Sequence, residues 1–131
     1  MTSKLVLDNL AGRTTAGSIA VVAEGNGTTT NMQQGLAKHW VWTASGASPA
    51  DSFNTTSVTD NSTGNYTITI TNDMASVNYS ATVSKLTAGS GRDVGVDDNS
   101  NMLVGSYVIY STSSSSVEDK TCWGTVHGDL A

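Results

Sequence analysis

From Asp51 to Ser84 the chain reads DSFNTTSVTD, NSTG, NYTITIT, NDMAS and VNYSATVS. The middle run puts Tyr66, Ile68 and Ile70 on one side and Thr67, Thr69 and Thr71 on the other, the period-two alternation of a strand with one dry face. Val77, Tyr79, Ala81 and Val83 repeat the pattern in the last run. Gly64 supplies the left-handed position that a short hairpin loop needs, and Asn72 and Asp73 open the next turn through side-chain bonds to the backbone. Both connections are short, so the stretch is expected to be an antiparallel meander. Burying Tyr66, Ile68 and Ile70 is worth roughly 1.5–3 kcal/mol each, and a slip of one residue would turn all three to water. Register is therefore expected to be fixed most firmly here.

On the N-terminal side, Lys38 to Thr43 also alternates, with Trp40 and Trp42 facing opposite to His39 and Val41. Two tryptophans in phase read as core anchors, each able to bury on the order of 200 Å²; the functional alternative is an aromatic platform for a sugar ring. The segment ASGASPAD, with the chain's one proline, Pro49, reads as a loop. Asp51 to Asp60 then reads as one strand in which Phe53 and Val58 fall out of phase, the mark of a bulge or an edge.

On the C-terminal side, LTAGSGRDVGVDDNSN after Lys85 reads as one long loop, a length that is uncommon without a role. Met102 to Tyr110 is a strand apolar on both faces, with Leu103, Tyr107 and Ile109 on one and Met102, Val104, Val108 and Tyr110 on the other. Such a strand lies between two layers or against a neighbouring subunit. STSSSSVEDK is a hairpin loop, and TCWGTVHGD is a last strand with Trp123, Thr125 and His127 opposite Cys122, Gly124 and Val126. The pattern of short strands and turn signals predicts an all-β fold, an antiparallel β-sandwich or jelly-roll-like module spanning residues 38–131.

Residues 1–37 differ in character and are expected to form an arm or neck. Lys4 to Leu7 and Ser18 to Ala23 read as strands. TNMQQGLAKHW is the helical candidate, one or two turns long, with Thr30 or Asn31 as cap and Gly35 costing about 1 kcal/mol of propensity. Its stripe of Met32 and Leu36 has the width that a few parallel copies bury around an axis. Met32, Leu36, Tyr107 and Tyr110 are thus the candidate subunit-interface residues.

The run from Asp51 to Tyr79, preceded by Trp40 and Trp42, resembles a segment of tail-fibre and other appendage proteins of tailed bacteriophages. The matching positions are Asp51, Ser52, Phe53, Asn54, Ser57, Thr59, Asp60, Asn61, Thr63, Gly64, Tyr66, Met74 and Tyr79, and the closing Gly128-Asp129-Leu130-Ala131 is similar to the ends of such proteins. The resemblance implies a β-sandwich domain carried on the virion, made in the host cytoplasm and assembled into the particle as a homo-oligomer. A trimer is expected. Its expected role is a short tail fibre or adhesin-like appendage that contacts a host-surface glycan or protein. Other virion proteins of the tail or capsid would hold it in place, and the alternative role is a capsid decoration or head-fibre protein without receptor binding.

Composition narrows the chemistry. Charged residues make up 13% of the 131 positions, about half the usual share, and Ser, Thr, Asn and Gly take their place. Six Lys and Arg against eleven Asp and Glu give a net charge of −5, which offers phosphate backbones no footprint, so nucleic acid is not an expected partner. No apolar run approaches a membrane span or a secretory signal, and membrane insertion is not expected.

No enzyme is expected and no catalytic residue is assigned: His39 and His127 lie in no triad or metal-ligand motif, and the acids sit mostly where turn chemistry explains them. The single Cys122 excludes an intrachain disulfide and reads as a buried structural thiol. Asp93, Asp97, Asp98 and Asn99 cluster oxygen atoms without the spacing of a calcium loop. They are the candidate receptor-binding residues; no metal and no cofactor is expected.

Overall fold

The computed structural model describes residues 4–13, 19–22, 29–45, 48–86, 93–97, 101–113 and 116–130. The chain divides into two compact units, Met1–Gly35 and Leu36–Ala131. In the first, β1 (Ala20–Val22) pairs antiparallel with β2 (Thr29–Asn31), and α1 (Met32–Gly35) follows at once. The backbone N–H of Met32 donates to the Ile19 carbonyl at 2.9 Å. The helix is a single turn that ends at Gly35, so Leu36 falls beyond it and the expected Met32–Leu36 stripe does not form along one helix face. Lys4 to Leu7, expected as a strand, has no strand structure and is exposed.

The second unit is a sandwich of two four-stranded antiparallel sheets. Its strands are β3 (Ala37–Thr43), β4 (Pro49–Phe53), β5 (Thr55–Ser62), β6 (Asn65–Ile70), β7 (Ser80–Lys85), β8 (Asp93–Val96), β9 (Ser106–Thr112) and β10 (Cys122–His127). One sheet has the order β4-β3-β10-β7 and the other β5-β6-β9-β8. The core lies between them. Tyr66, Ile68 and Ile70 are buried as their alternation requires, against Tyr107 and Ile109 of β9 and Val41, Cys122 and Val126 of the facing sheet.

One expected strand and one expected hairpin are replaced by sheet crossings. Asp51 to Asp60 is two strands in different sheets, broken at Asn54, whose φ is 59°. Asparagine tolerates this left-handed conformation better than a branched residue does, and here its side chain fixes the corner. Nδ2 donates to the Lys38 carbonyl at 2.9 Å, and Oδ1 accepts from the Asn72 backbone N–H at 2.9 Å. The phase difference between Phe53 and Val58 is that corner: Phe53 points out of one sheet, and Val58 points into the core from the other.

The third strand of the expected meander also leaves the sheet. β6 pairs with β5 and β9, whereas β7 pairs with β10, so residues 71–79 cross the sandwich. Met74 anchors the crossing from the core, and its N–H donates to the Val104 carbonyl at 2.8 Å. Tyr79 Oη lies 2.9 Å from the carbonyl oxygens of both Leu103 and Ser106. Val77, placed on the dry face by its spacing, is exposed.

Two further differences matter for function. The segment read as one long loop after Lys85 contains β8, an edge strand whose Val94 and Val96 pack on the core. β9 begins at Ser106, and Met102 to Gly105 form the turn before it.

Cys122 is buried, and burial pushes its thiol pKa up, partly offset by the Lys85 ammonium. Since the thiolate is the reactive form, native protein is expected to resist alkylation by iodoacetamide and to be labelled fully once unfolded in urea. Rapid labelling under native conditions would contradict this packing.

Candidate functional site

The sheet β4-β3-β10-β7 has an unusual outer face. Within β3, Val41 and Thr43 point inward and Trp40 and Trp42 point out, the reverse of the expected phase; His39 is buried with them. The two sheets are in close contact at Gly124, which leaves no room there for a larger side chain on the inner surface. A Cβ there would overlap the Tyr107 hydroxyl and lie 3.4 Å from Val41 Cγ1. Tyr107, offered by sequence as an interface residue, is thus a core residue that reaches across the sandwich and is fully buried. Thr43 fits the same face because its hydroxyl donates to the Cys122 carbonyl at 3.3 Å and accepts from the Cys122 N–H at 3.1 Å.

Strand register arranges the outer side chains in two rows across the sheet. One row runs Phe53, Trp40, Thr125, Thr82; the other runs Asp51, Trp42, Trp123, Ser84. Trp42 and Trp123 face each other across β3 and β10 with ring centroids 6.4 Å apart and planes only 11° from parallel. Trp40, Trp42, Trp123 and Phe53 are 38, 44, 37 and 54% exposed. Apolar rings clustered on one exposed face of a soluble domain mark a contact surface more often than a scatter of single residues does. Asp51 closes one end of its row, with Oδ1 accepting from the Ser52 N–H at 2.8 Å.

Of the two lysines on these strands, Lys38 is buried and Lys85 has a side chain 2% exposed. Lys85 Nζ lies 3.5 Å from Glu118 Oε1 and also meets the Thr112 carbonyl of the other sheet, so it ties the two layers together on the inside. The ringed face therefore presents no lysine or arginine among its described side chains.

The opposite sheet brings some of the sequence-predicted residues together. Gly95 pairs with Tyr110, and Asp93 with Thr112. With Val94 and Val96 turned inward, Asp93, Gly95 and Asp97 point out, and they line a shallow cleft of about 240 Å³ with Tyr110 and Thr112. Tyr110 is 40% exposed. Asp97 Oδ2 accepts from Asn101 Nδ2 at 3.0 Å. Asp98 and Asn99 lie outside the described residues. Asp93 and Asp97 thus belong to a strand and its end, and not to a loop tip.

His39, Tyr66 and Tyr107 are occupied structurally. His39 is buried, with Nε2 2.9 Å from Thr55 Oγ1 and its ring edge-on to Tyr107. Burial pushes its pKa down to about 4. Burial also raises Tyr66 and Tyr107, and Tyr66 is raised further by its 2.8 Å hydrogen bond to the Asp119 carboxylate. Among the described residues no three His, Cys, Asp or Glu side chains are grouped to hold a metal ion.

Comparison with family models, with curated proteins and with solved structures returned no match. Sequence reasoning weighed the paired tryptophans as a platform and preferred the core; the signal for exposure was Gly124, in phase with Cys122 and Val126 and opposite Trp123.

Proposed function

We propose that the protein is a virion structural protein of a tailed phage, a short tail fibre or adhesin-like appendage that meets the host surface through the outer face of the β4-β3-β10-β7 sheet. The observation that carries this reading is the cluster of Trp40, Trp42, Trp123 and Phe53 on that face, on a domain whose surface is otherwise rich in Ser, Thr and Asn. The resemblance of the run from Asp51 to Tyr79 to phage appendage proteins supports the setting. The N-terminal unit is the proposed attachment to the particle or to sister copies.

A shallow surface of this kind suits an oligomer. A single site of millimolar affinity is worth about −4 kcal/mol, and linked copies gain a factor of about 10² to 10⁴ through effective concentration. The expected result is a purified homo-oligomer, a trimer by this reading, that binds host cells and competes with adsorption of the phage. A protein that is monomeric, binds no cells and leaves adsorption unchanged would remove the adhesin role. Localisation to the capsid by antibody labelling or cryo-EM, again without cell binding, would replace it with a decoration role.

A further inference from the structure

We infer that the outer face of the β4-β3-β10-β7 sheet is a carbohydrate-binding platform for a neutral or amino-bearing oligosaccharide, lying along the row Asp51, Trp42, Trp123, Ser84. This deepens the adhesin reading and rests on it for biological setting, though the site stands on its own geometry.

Three features select this ligand. The first is ring orientation. The apolar faces of pyranose rings carry C–H groups that pack on aromatic faces, and the indoles of Trp42 and Trp123 lie within 11° of parallel with centroids 6.4 Å apart. The two rings stack on each other and leave 44 and 37% of Trp42 and Trp123 exposed, an apolar surface against which a sugar ring can pack. With strands about 4.8 Å apart and outward side chains about 6.6 Å apart along each strand, the two rows cover roughly 14 by 7 Å. That is a footprint for a short oligosaccharide lying across the strands.

The second feature is the polar border. Thr125, Thr82 and Ser84 continue the two rows on the β10 and β7 side, and Asp51 ends one row on the β4 side. Hydroxyls that both donate and accept, with a carboxylate that accepts, match the hydroxyl groups around a sugar ring. Asp51 Oδ1 is already held by the Ser52 N–H, which fixes the carboxylate in place and leaves Oδ2 for a sugar hydroxyl or an ammonium group.

The third feature is charge. With Lys38 buried and Lys85 turned inward, the rings are bordered by a carboxylate and no exposed lysine on these strands, and the whole chain carries −5. This disfavours phosphate-rich polymers, acidic glycans and anionic lipid, and it favours neutral or amine-bearing sugars. A second copy is the weaker occupant on area. The four partly exposed rings offer on the order of 400 Å², whereas a stable interface buries about 800 Å² per partner.

The test uses the full chain and a printed array of neutral, amino-bearing and acidic oligosaccharides, with tryptophan fluorescence titrations of the hits. Neutral or amino-bearing glycans are expected to bind and to perturb the tryptophan emission. Trp42→Ala and Trp123→Ala should each weaken binding about tenfold or more, and Asp51→Asn should weaken amine-bearing ligands more than neutral ones. Each tryptophan is partly exposed, so the alanine variants should still unfold cooperatively, at a temperature a few degrees lower for the lost stacking, while Asp51→Asn should match wild type and Trp123→Phe should retain both most of the stability and most of the affinity. Absence of array binding by folded wild-type protein, preference for acidic glycans, or binding unchanged in both tryptophan variants would overturn the inference. So would a change of oligomeric state in Trp42→Ala, which would make the face a subunit contact.

Periodate-treated host cells separate this inference from the adhesin reading. Tryptophan-dependent attachment that survives periodate keeps the adhesin and removes the sugar. Array binding without attachment to any candidate host keeps the sugar site and removes the adhesin.

Discussion

Gly64→Ala should destabilise the protein by about 2–5 kcal/mol, combining left-handed strain with overpacking. Gly64 sits in the turn between β5 and β6 with φ at 70°, a conformation that costs alanine roughly 1–2 kcal/mol. The space is also closed by backbone. A Cβ would overlap the Ser111 carbonyl oxygen and lie 3.0 Å from the Glu118 nitrogen. These are the groups that join the hairpin to the 116–120 segment: Ser111 N–H donates to the Gly64 carbonyl at 2.8 Å, and Glu118 N–H donates to the Ser111 carbonyl at 3.1 Å. Gly64 N–H itself donates to Asp119 Oδ1 at 2.7 Å, and that bond, with the one from Tyr66, holds the Asp119 carboxyl below its ordinary pKa.

Urea denaturation should show a lower midpoint at unchanged slope. Gly64→Asn, which tolerates the backbone angle but not the overlap, should recover only the strain component. Gly95→Ala is the control: nothing lies within 4 Å of its added Cβ, so it should stay within about 0.5 kcal/mol of wild type. Equal midpoints for Gly64→Ala and wild type would show that the 116–120 segment is not anchored as described.

How far the sequence could be read depends on which interactions are local. The alternation of Tyr66, Ile68 and Ile70 and the glycine in the turn before them are local facts, and both appear in the structure as expected. Alternation shows that a strand has one dry face, but it does not say which sheet the strand joins. The short NDMAS segment therefore looked like a hairpin, although residues 71–79 cross to the other sheet, anchored by contacts of Met74 with Val104 and of Tyr79 with Leu103 and Ser106. The same limit applied at Asn54, where one apparent strand is two.

The tryptophans show a second limit. Hydrophobicity alone places Trp40 and Trp42 inside, and what turns them out is the space left by Gly124 and filled by Tyr107, residues distant in sequence from β3. The cleft beside Gly95 has a similar origin. Asp93, Asp97 and Tyr110 were each noticeable in the sequence, and only the pairing of β8 with β9 places them together. A four-residue strand flanked by Gly, Ser and Asp gave too short a pattern to distinguish from loop.

Acidification from pH 7 to pH 4 should cost about 3 kcal/mol of stability through His39 alone, because burial lowers its pKa from 6.5 to about 4 and the folded state therefore resists the proton that the unfolded chain accepts. The ring is fully buried, its Nε2 is satisfied by Thr55, and its Nδ1 has no hydrogen-bond partner among the described residues. The Tyr107 hydroxyl is likewise unpartnered. A second proton would therefore place a charge in a fully buried site whose contacts are the Thr55 hydroxyl and the Tyr107 ring, and burial lowers the folded-state pKa from 6.5 to about 4. The unfolded chain takes up that proton near pH 6.5, so stability is fully present above 6.5 and is lost progressively as pH falls toward 4. Below 4 the folded state is protonated as well and this contribution levels off.

Asp119, whose carboxyl pKa is lowered, acts at more acidic pH than this window, so the two effects separate. His39→Leu should be less stable than wild type at pH 7 by about 1 kcal/mol for the lost hydrogen bond, and it should lose little more on acidification to pH 4. The two stability curves are then expected to cross between pH 6.5 and 4. A wild-type curve that is flat across that window, or a His39→Leu curve that falls as steeply, would show that the buried imidazole is not what acid attacks first.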